Sequence, residues 1–217
     1  MKRILLLGTL IVFIPAILFA QEKVEAPVWN VGDKWVFTQG SIEIIDADQK
    51  SYTMKFPSDR TTAWNLESGG FDKIIFEKAT LNRIYALKEN KREKYTGFRR
   101  THLNFPFSPG KKWKDTFSTK PVFGYHIEDR VIEYTETYAV LGWEEVEVRA
   151  GKFKAIKLEC EHVITGPPGY IGIGIGRGTA WYWYSPAGKY FVKGQYDVQL
   201  RTFDLKDWEL TSFQLKR

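Results

Sequence analysis

Cysteine and histidine are scarce in this chain of 217 residues, which holds one of the first and three of the second. A single cysteine, Cys160, excludes an intrachain disulfide framework. The histidines, His102, His126 and His162, are scattered and lack the ligand spacing of a zinc site. No Gly-x-Ser-x-Gly nucleophile elbow is present, and no serine has an evident base. Collagen-like, disulfide-scaffold and disordered compositions are excluded as well. A membrane-spanning run is also lacking. The apolar run Ile4–Phe19 is sixteen residues, whereas a spanning helix needs roughly 20.

Aromatic residues are abundant instead: 8 Trp, 11 Tyr and 15 Phe. This is packing and stacking material, in a chain long enough to bury a core without covalent staples. The formal net charge is +6, of which Lys2 and Arg3 supply two. The densest basic cluster is Lys88, Lys91, Arg92, Lys94, Arg99 and Arg100, diluted by Glu89 and Glu93. It reads first as a solvated hairpin, and second as a weak peripheral contact with anionic lipid or polysaccharide.

The first twenty residues read as an address. Lys2 and Arg3 precede the apolar run, Ala20 ends it, and Gln21-Glu22-Lys23 is abruptly polar, which is the pattern of a secretory signal peptide. Cleavage is expected between Ala20 and Gln21. No cysteine lies near the cut, so the expectation is a periplasmic or secreted protein that is not lipid-anchored. Nucleic acid is not expected as a partner. Residues 21–217 are expected to form one β-rich domain, with an optional sub-division near 103–110.

The period along that domain is two. In Lys189–Asp204, Tyr190, Val192, Tyr196, Val198 and Leu200 alternate with Lys193, Gln195, Asp197, Gln199 and Arg201, giving a strand with one buried and one wet side. Arg130–Leu141 is a second long candidate, rich in β-branched and aromatic residues. Glu144–Arg149 and Phe153–Ile164 are further candidates, and no amphipathic helix stands out after Ala20. Sixteen strand residues at about 3.3 Å each reach roughly 50 Å. Strands that long suggest a curved antiparallel sheet, half-barrel or barrel-like. Val31-Gly32-Asp33-Lys34-Trp35 and Pro109-Gly110-Lys111-Lys112-Trp113 look alike and hint at two similar sub-sheets. A tight turn at Ala150-Gly151 would put Ile156 opposite Glu145, and a bulge at Gly151 would restore the faces.

Gly166–Gly178 is glycine-rich, but a strand-like Thr179–Tyr184 follows it, and no Lys-Ser or Lys-Thr closes it as a phosphate loop. It reads as a hairpin excursion, or as a flap with Ile171, Ile173 and Ile175 on one side. Trp181 and Trp183 share one strand face and Tyr182 and Tyr184 the other. Together with Tyr170 and the three isoleucines, Trp181 and Trp183 are the candidate ligand-binding residues. The aromatic pair could serve as a stacking platform or the wall of an apolar pocket. Cys160 and His162 share a strand face with Ile156, Leu158 and Ile164, and read as buried structural residues. No catalytic residue, metal ligand or cofactor is assigned.

Four segments in order carry a resemblance: Val31–Phe37, Phe105–Trp113, Val148–Leu158 and Trp183–Lys193. They resemble a loose group of exported bacterial β-sheet proteins treated as a domain of unknown function. The resemblance covers most of residues 21–217 and leaves out Gly166–Gly178. It implies an exported, sheet-rich protein and transfers no catalytic residue. Some similar periplasmic folds are lipoprotein-carrier half-barrels, by fold analogy. The functional expectation is a non-enzymatic envelope protein that binds an apolar ligand or an envelope partner. A polysaccharide-active hydrolase and a purely structural or assembly role are the alternatives. Oligomeric state is left open.

Overall fold

Alternating apolar and polar residues form strands throughout the computed structural model, which describes residues 22–57, 73–84, 99–119, 132–166, 176–200 and 206–217. The strands are β1 (Lys34–Phe37), β2 (Gly40–Ala47), β3 (Ser51–Lys55), β4 (Lys73–Glu77), β5 (Arg83–Ile84) and β6 (Arg99–Arg100). They continue as β7 (Lys112–Thr119), β8 (Ile132–Val148), β9 (Gly151–Thr165), β10 (Gly176–Ser185), β11 (Tyr190–Leu200) and β12 (Trp208–Gln214). No helix among the described residues is long and apolar enough to cross a membrane. The expected cleavage pair Ala20 and Gln21 lies outside the described residues.

All twelve strands join one antiparallel sheet in the order β6-β5-β4-β3-β2-β1-β12-β11-β10-β9-β8-β7. This corrects the expected half-barrel or barrel and the two sub-sheets. The last strand, β12, pairs with β1 on one side and β11 on the other, so what could have been two sheets is one. The edges are β6 and β7, and no ladder joins them among the described residues. They approach through side chains instead: the Thr101 N–H donates to Asp115 at 2.6 Å, and the Trp113 indole N–H to the Thr101 carbonyl at 2.9 Å.

The two look-alike segments are real at the level of the turn. Gly32 and Gly110 are the third residues of four-residue turns, both at positive φ (88° and 84°), which glycine adopts without steric cost. Gly32 N–H donates to Ile44 O and Ile44 N–H to Asp33 O. Gly110 N–H and Val140 N–H repeat that exchange with Val140 O and Lys111 O. The likeness is a repeated way of starting a strand against its neighbour, not a duplicated sheet.

The long hairpin also differs from expectation. Arg130–Leu141 and Glu144–Arg149 read as separate strands, yet β8 runs unbroken from Ile132 to Val148. Its turn is Arg149-Ala150, with Val148 opposite Gly151 and Val146 opposite Phe153. The register shift sits between Val140 and Gly142 rather than at Gly151. The extra residue, Leu141, is thrown outward and exposed, as a bulge requires.

One face of the sheet carries the core. Near the β10–β11 turn it is almost wholly aromatic. Trp29, from the segment before β1, meets Trp35, Tyr52, Phe76 and Tyr190 at centroid distances of 5.3–6.4 Å. The Trp29 and Trp35 indoles donate to Lys189 O (2.9 Å) and Gly188 O (2.6 Å), so neither ring leaves its N–H unpaired in the core.

Candidate functional site

Of the expected ligand-binding residues, Tyr170, Ile171, Ile173 and Ile175 lie outside the described residues. Trp181 and Trp183 lie on β10 in the row that faces away from Ala180 and Tyr182, with Trp183 itself buried and Trp181 packed beside the buried cluster. Strand alternation puts them there: Ala180, Tyr182 and Tyr184 turn inward and are buried. Their cross-strand neighbours form two rows. Trp183 stands between Lys157 of β9 and Lys193 of β11, and Trp181 between Glu159 and Gln195.

The two rings are held differently. Trp183 has Lys157 Nζ 4.8 Å and Lys193 Nζ 4.9 Å from its ring centroid, within cation–π range. Its N–H donates to Glu144 at 2.8 Å, and Lys157 is 3.5 Å from the same carboxylate. The lysine stems cover the ring, which is 4% exposed. Trp181 is half-buried and donates to Glu159 at 2.9 Å. No cation or aromatic ring stacks on it among the described residues.

The inner face holds a second cluster, which sequence reasoning did not find. Glu136 on β8 receives four donors. Arg100 grips it with Nε to Oε2 at 2.7 Å and Nη2 to Oε1 at 2.6 Å. The Tyr138 hydroxyl donates to Oε2 at 2.7 Å, and His162 Nδ1 lies 3.1 Å from Oε1. Since Tyr138 gives its proton to the carboxylate, its oxygen accepts from His102 Nδ1 at 2.9 Å, which places the His102 ring proton on Nδ1. All five residues are buried. Cys160 is buried as expected, with Sγ 3.9 Å from His162 Nδ1. His162 is buried too, but it faces a carboxylate, so the face it shares is not simply apolar.

The electrostatics follow from that packing. Burial alone would raise the Glu136 pKa. The Arg100 guanidinium and the His162 hydrogen bond outweigh it and hold the carboxyl well below the ordinary range. Burial, and then the positive charges of Arg83 and Arg100, push His102 well below its usual value, so it is neutral. Burial, with the Cys160 and Glu136 groups beside it, raises Tyr138 well above 10. Glu136 is therefore an ionised carboxylate with its oxygens filled by donors, not a poised acid. Its partners orient and neutralise it, which is a structural task. No group of three or more His, Cys, Asp or Glu among the described residues could hold a metal ion.

No family model matches the chain, and no curated protein does. Solved structures do. A protein from Bacteroides fragilis, described as exported and of YmcC-like fold, matches at TM-score 0.40 and 10% identity, over 88% of this chain and 99% of its own. The hypothetical lipoprotein YmcC of Escherichia coli matches at TM-score 0.39 and 9% identity, over 89% and 90%. A protein of Parabacteroides distasonis described as a lipoprotein matches at 0.38 and 12%, over 89% and 100%. Likeness at this level carries no functional residue across. Two of the three are described as lipoproteins, and the expectation of a periplasmic or secreted chain without a lipid anchor is withdrawn against them.

Proposed function

We propose that the chain is an exported, envelope-associated, non-enzymatic binding protein that recognises its partner with the outer face of β9, β10 and β11. The observation behind this reading is the pair Trp181 and Trp183. Two indoles are kept in the row that faces away from Ala180 and Tyr182, each fixed through its N–H by a carboxylate. A sheet that needed Trp only for its core would turn it inward, as Trp29, Trp35 and Trp208 are turned. The inner face is a poor place for an apolar ligand, because its own aromatic and charged side chains fill it among the described residues. The basic pair Lys2 and Arg3 followed by an apolar run, a signal-like pattern, supports export.

A photo-crosslinking amino acid at Gln195, beside Trp181, tests this in the native envelope. One envelope component should be captured from that position and not from Lys50, in the turn between β2 and β3. Equal capture from both positions, or none from Gln195, would remove the outer-face reading.

A further inference from the structure

We propose that Trp181 is the stacking residue of a saccharide site, and that the ligand is a neutral pyranose of an envelope polysaccharide. This rests on the outer-face reading and names its ligand class.

The two tryptophans divide the work. The ring of Trp183 is occupied by Lys157 and Lys193. Trp181, two residues earlier on the same face, is half-buried and carries no stacked group among the described residues. Its N–H is bonded to Glu159 at 2.9 Å, so the ring plane is set before any ligand arrives. Preorganisation of this kind lowers the ordering cost of binding.

The surroundings choose between ligand classes. A sugar ring has an apolar C–H face that suits an aromatic ring, and a rim of hydroxyls that donate and accept. Around Trp181 the rim groups are Glu159 on β9 and Gln195 on β11, its direct cross-strand neighbours. The Gln195 amide donates to Asp207 at 3.3 Å, which orients it. Thr179, with Glu161 and Asp197 opposite it, forms the next row. An aliphatic ligand would strip water from Glu159 and Gln195 without replacing their hydrogen bonds, which is costly. A polyanion would meet Glu159, Glu161 and Asp197. Lys157, Lys193 and Arg177 against Glu144, Glu159, Glu161, Asp197 and Asp207 leave the face mildly acidic, which disfavours an anionic ligand further. A neutral polyol fits both constraints.

Titration calorimetry with neutral hexasaccharides of glucose, xylose and N-acetylglucosamine, with heparin and palmitate as controls, tests the proposal. At least one hexasaccharide should bind the wild-type protein. Trp181→Ala should weaken it tenfold or more and Gln195→Ala severalfold. Trp181→Phe, which keeps a flat ring, should retain most of the binding, and circular dichroism checks that each variant is folded. Lys152→Ala, at the exposed β8–β9 hairpin, should leave it unchanged. Sugar binding that survives Trp181→Ala, or a response to palmitate or heparin alone, overturns the proposal. If no hexasaccharide binds while a crosslinker at Gln195 still captures an envelope protein, the ligand class is wrong and the outer-face reading stands. If that capture fails too, both fall.

Discussion

At one end of the inner face, Trp29 sits among four other aromatic rings. At the other, Glu136 sits among Arg100, Tyr138 and His162. Both regions are buried, and both tie together segments far apart in sequence. They differ in what holds them. The aromatic end is held by area removed from water and by shape, which are indifferent to pH. The ionic end is held by matched charge, where every partner is needed because any one left alone is a buried, unsatisfied group. The same sheet therefore has one end that should fail by forming cavities and one that should fail by losing a partner.

The sharpest break is at the ionic end. Glu136→Ala leaves the Arg100 guanidinium buried without its carboxylate and should cost about 3–5 kcal/mol, read as a fall in the urea midpoint. Arg100→Met combined with Glu136→Leu removes both charges and should recover part of that loss, the remainder being Tyr138 and His162 left without their shared acceptor. Acid should act in the same direction. The unfolded chain takes up a proton at His102 near 6.5, and the folded chain does not, so stability falls as pH drops below that value. The Glu136 contribution is full above 4.5 and is lost as pH falls through its depressed folded value. At the alkaline side, Tyr138 stays protonated in the fold, so stability is lost as pH rises above 10.

Trp29→Ala should cost about 3 kcal/mol, the low end for a buried tryptophan, because the segment that carries it can settle inward. As pH falls below 4.5 its urea midpoint should run parallel to wild type, whereas that of Glu136→Ala, which has no carboxylate to protonate, should fall less steeply. Parallel curves for both variants would erase the distinction between the two ends. Gly194→Ala tests shape alone. Its Cβ would lie 2.6 Å from Cζ2 and Nε1 of Trp208, and overpacking of this kind should cost about 1–3 kcal/mol. Smallest of all is Glu147→Ala, which breaks an exposed pair with Lys152 at 3.6 Å. It should change stability by less than about 0.5 kcal/mol.

The strands were largely legible because alternation survives in them. Phe153–Ile164 falls within β9, and the described parts of Arg130–Leu141 and Lys189–Asp204 fall on β8 and β11 apart from Lys189 itself. The sheet's closure was not legible. Strand length alone cannot tell an open edge from a paired one, and β6 is too short to announce itself. The bulge at Leu141 hid because a two-strand reading explains the same residues. Trp29 lies outside any strand and has no period to follow.

The ionic cluster did leave a mark. Glu136 interrupts the inward row Ile132, Tyr134, Tyr138, Val140 on β8, and a carboxylate on a buried face demands a buried cation. Which cation it would be, Arg100 at a separation of 36 residues, is a matter of topology. The four segments that carry the family resemblance mostly meet at the aromatic end. Trp35 bonds to Gly188, and Phe105 and Phe107 pack on Tyr184. They mark how the sheet is held, which is why they transferred no site.

Recognition belongs to the outer face while the inner face stays filled, and one measurement tests both. Fluorine NMR of protein carrying 5-fluorotryptophan at its eight tryptophans, assigned by single Trp→Phe changes, reads both faces at once. On titration with the hexasaccharide that binds, the Trp181 resonance should shift most, with Trp29 and Trp35 unmoved. A shift at Trp29 and Trp35 with none at Trp181, or shifts there on adding palmitate, would place the ligand inside the sheet and contradict the account.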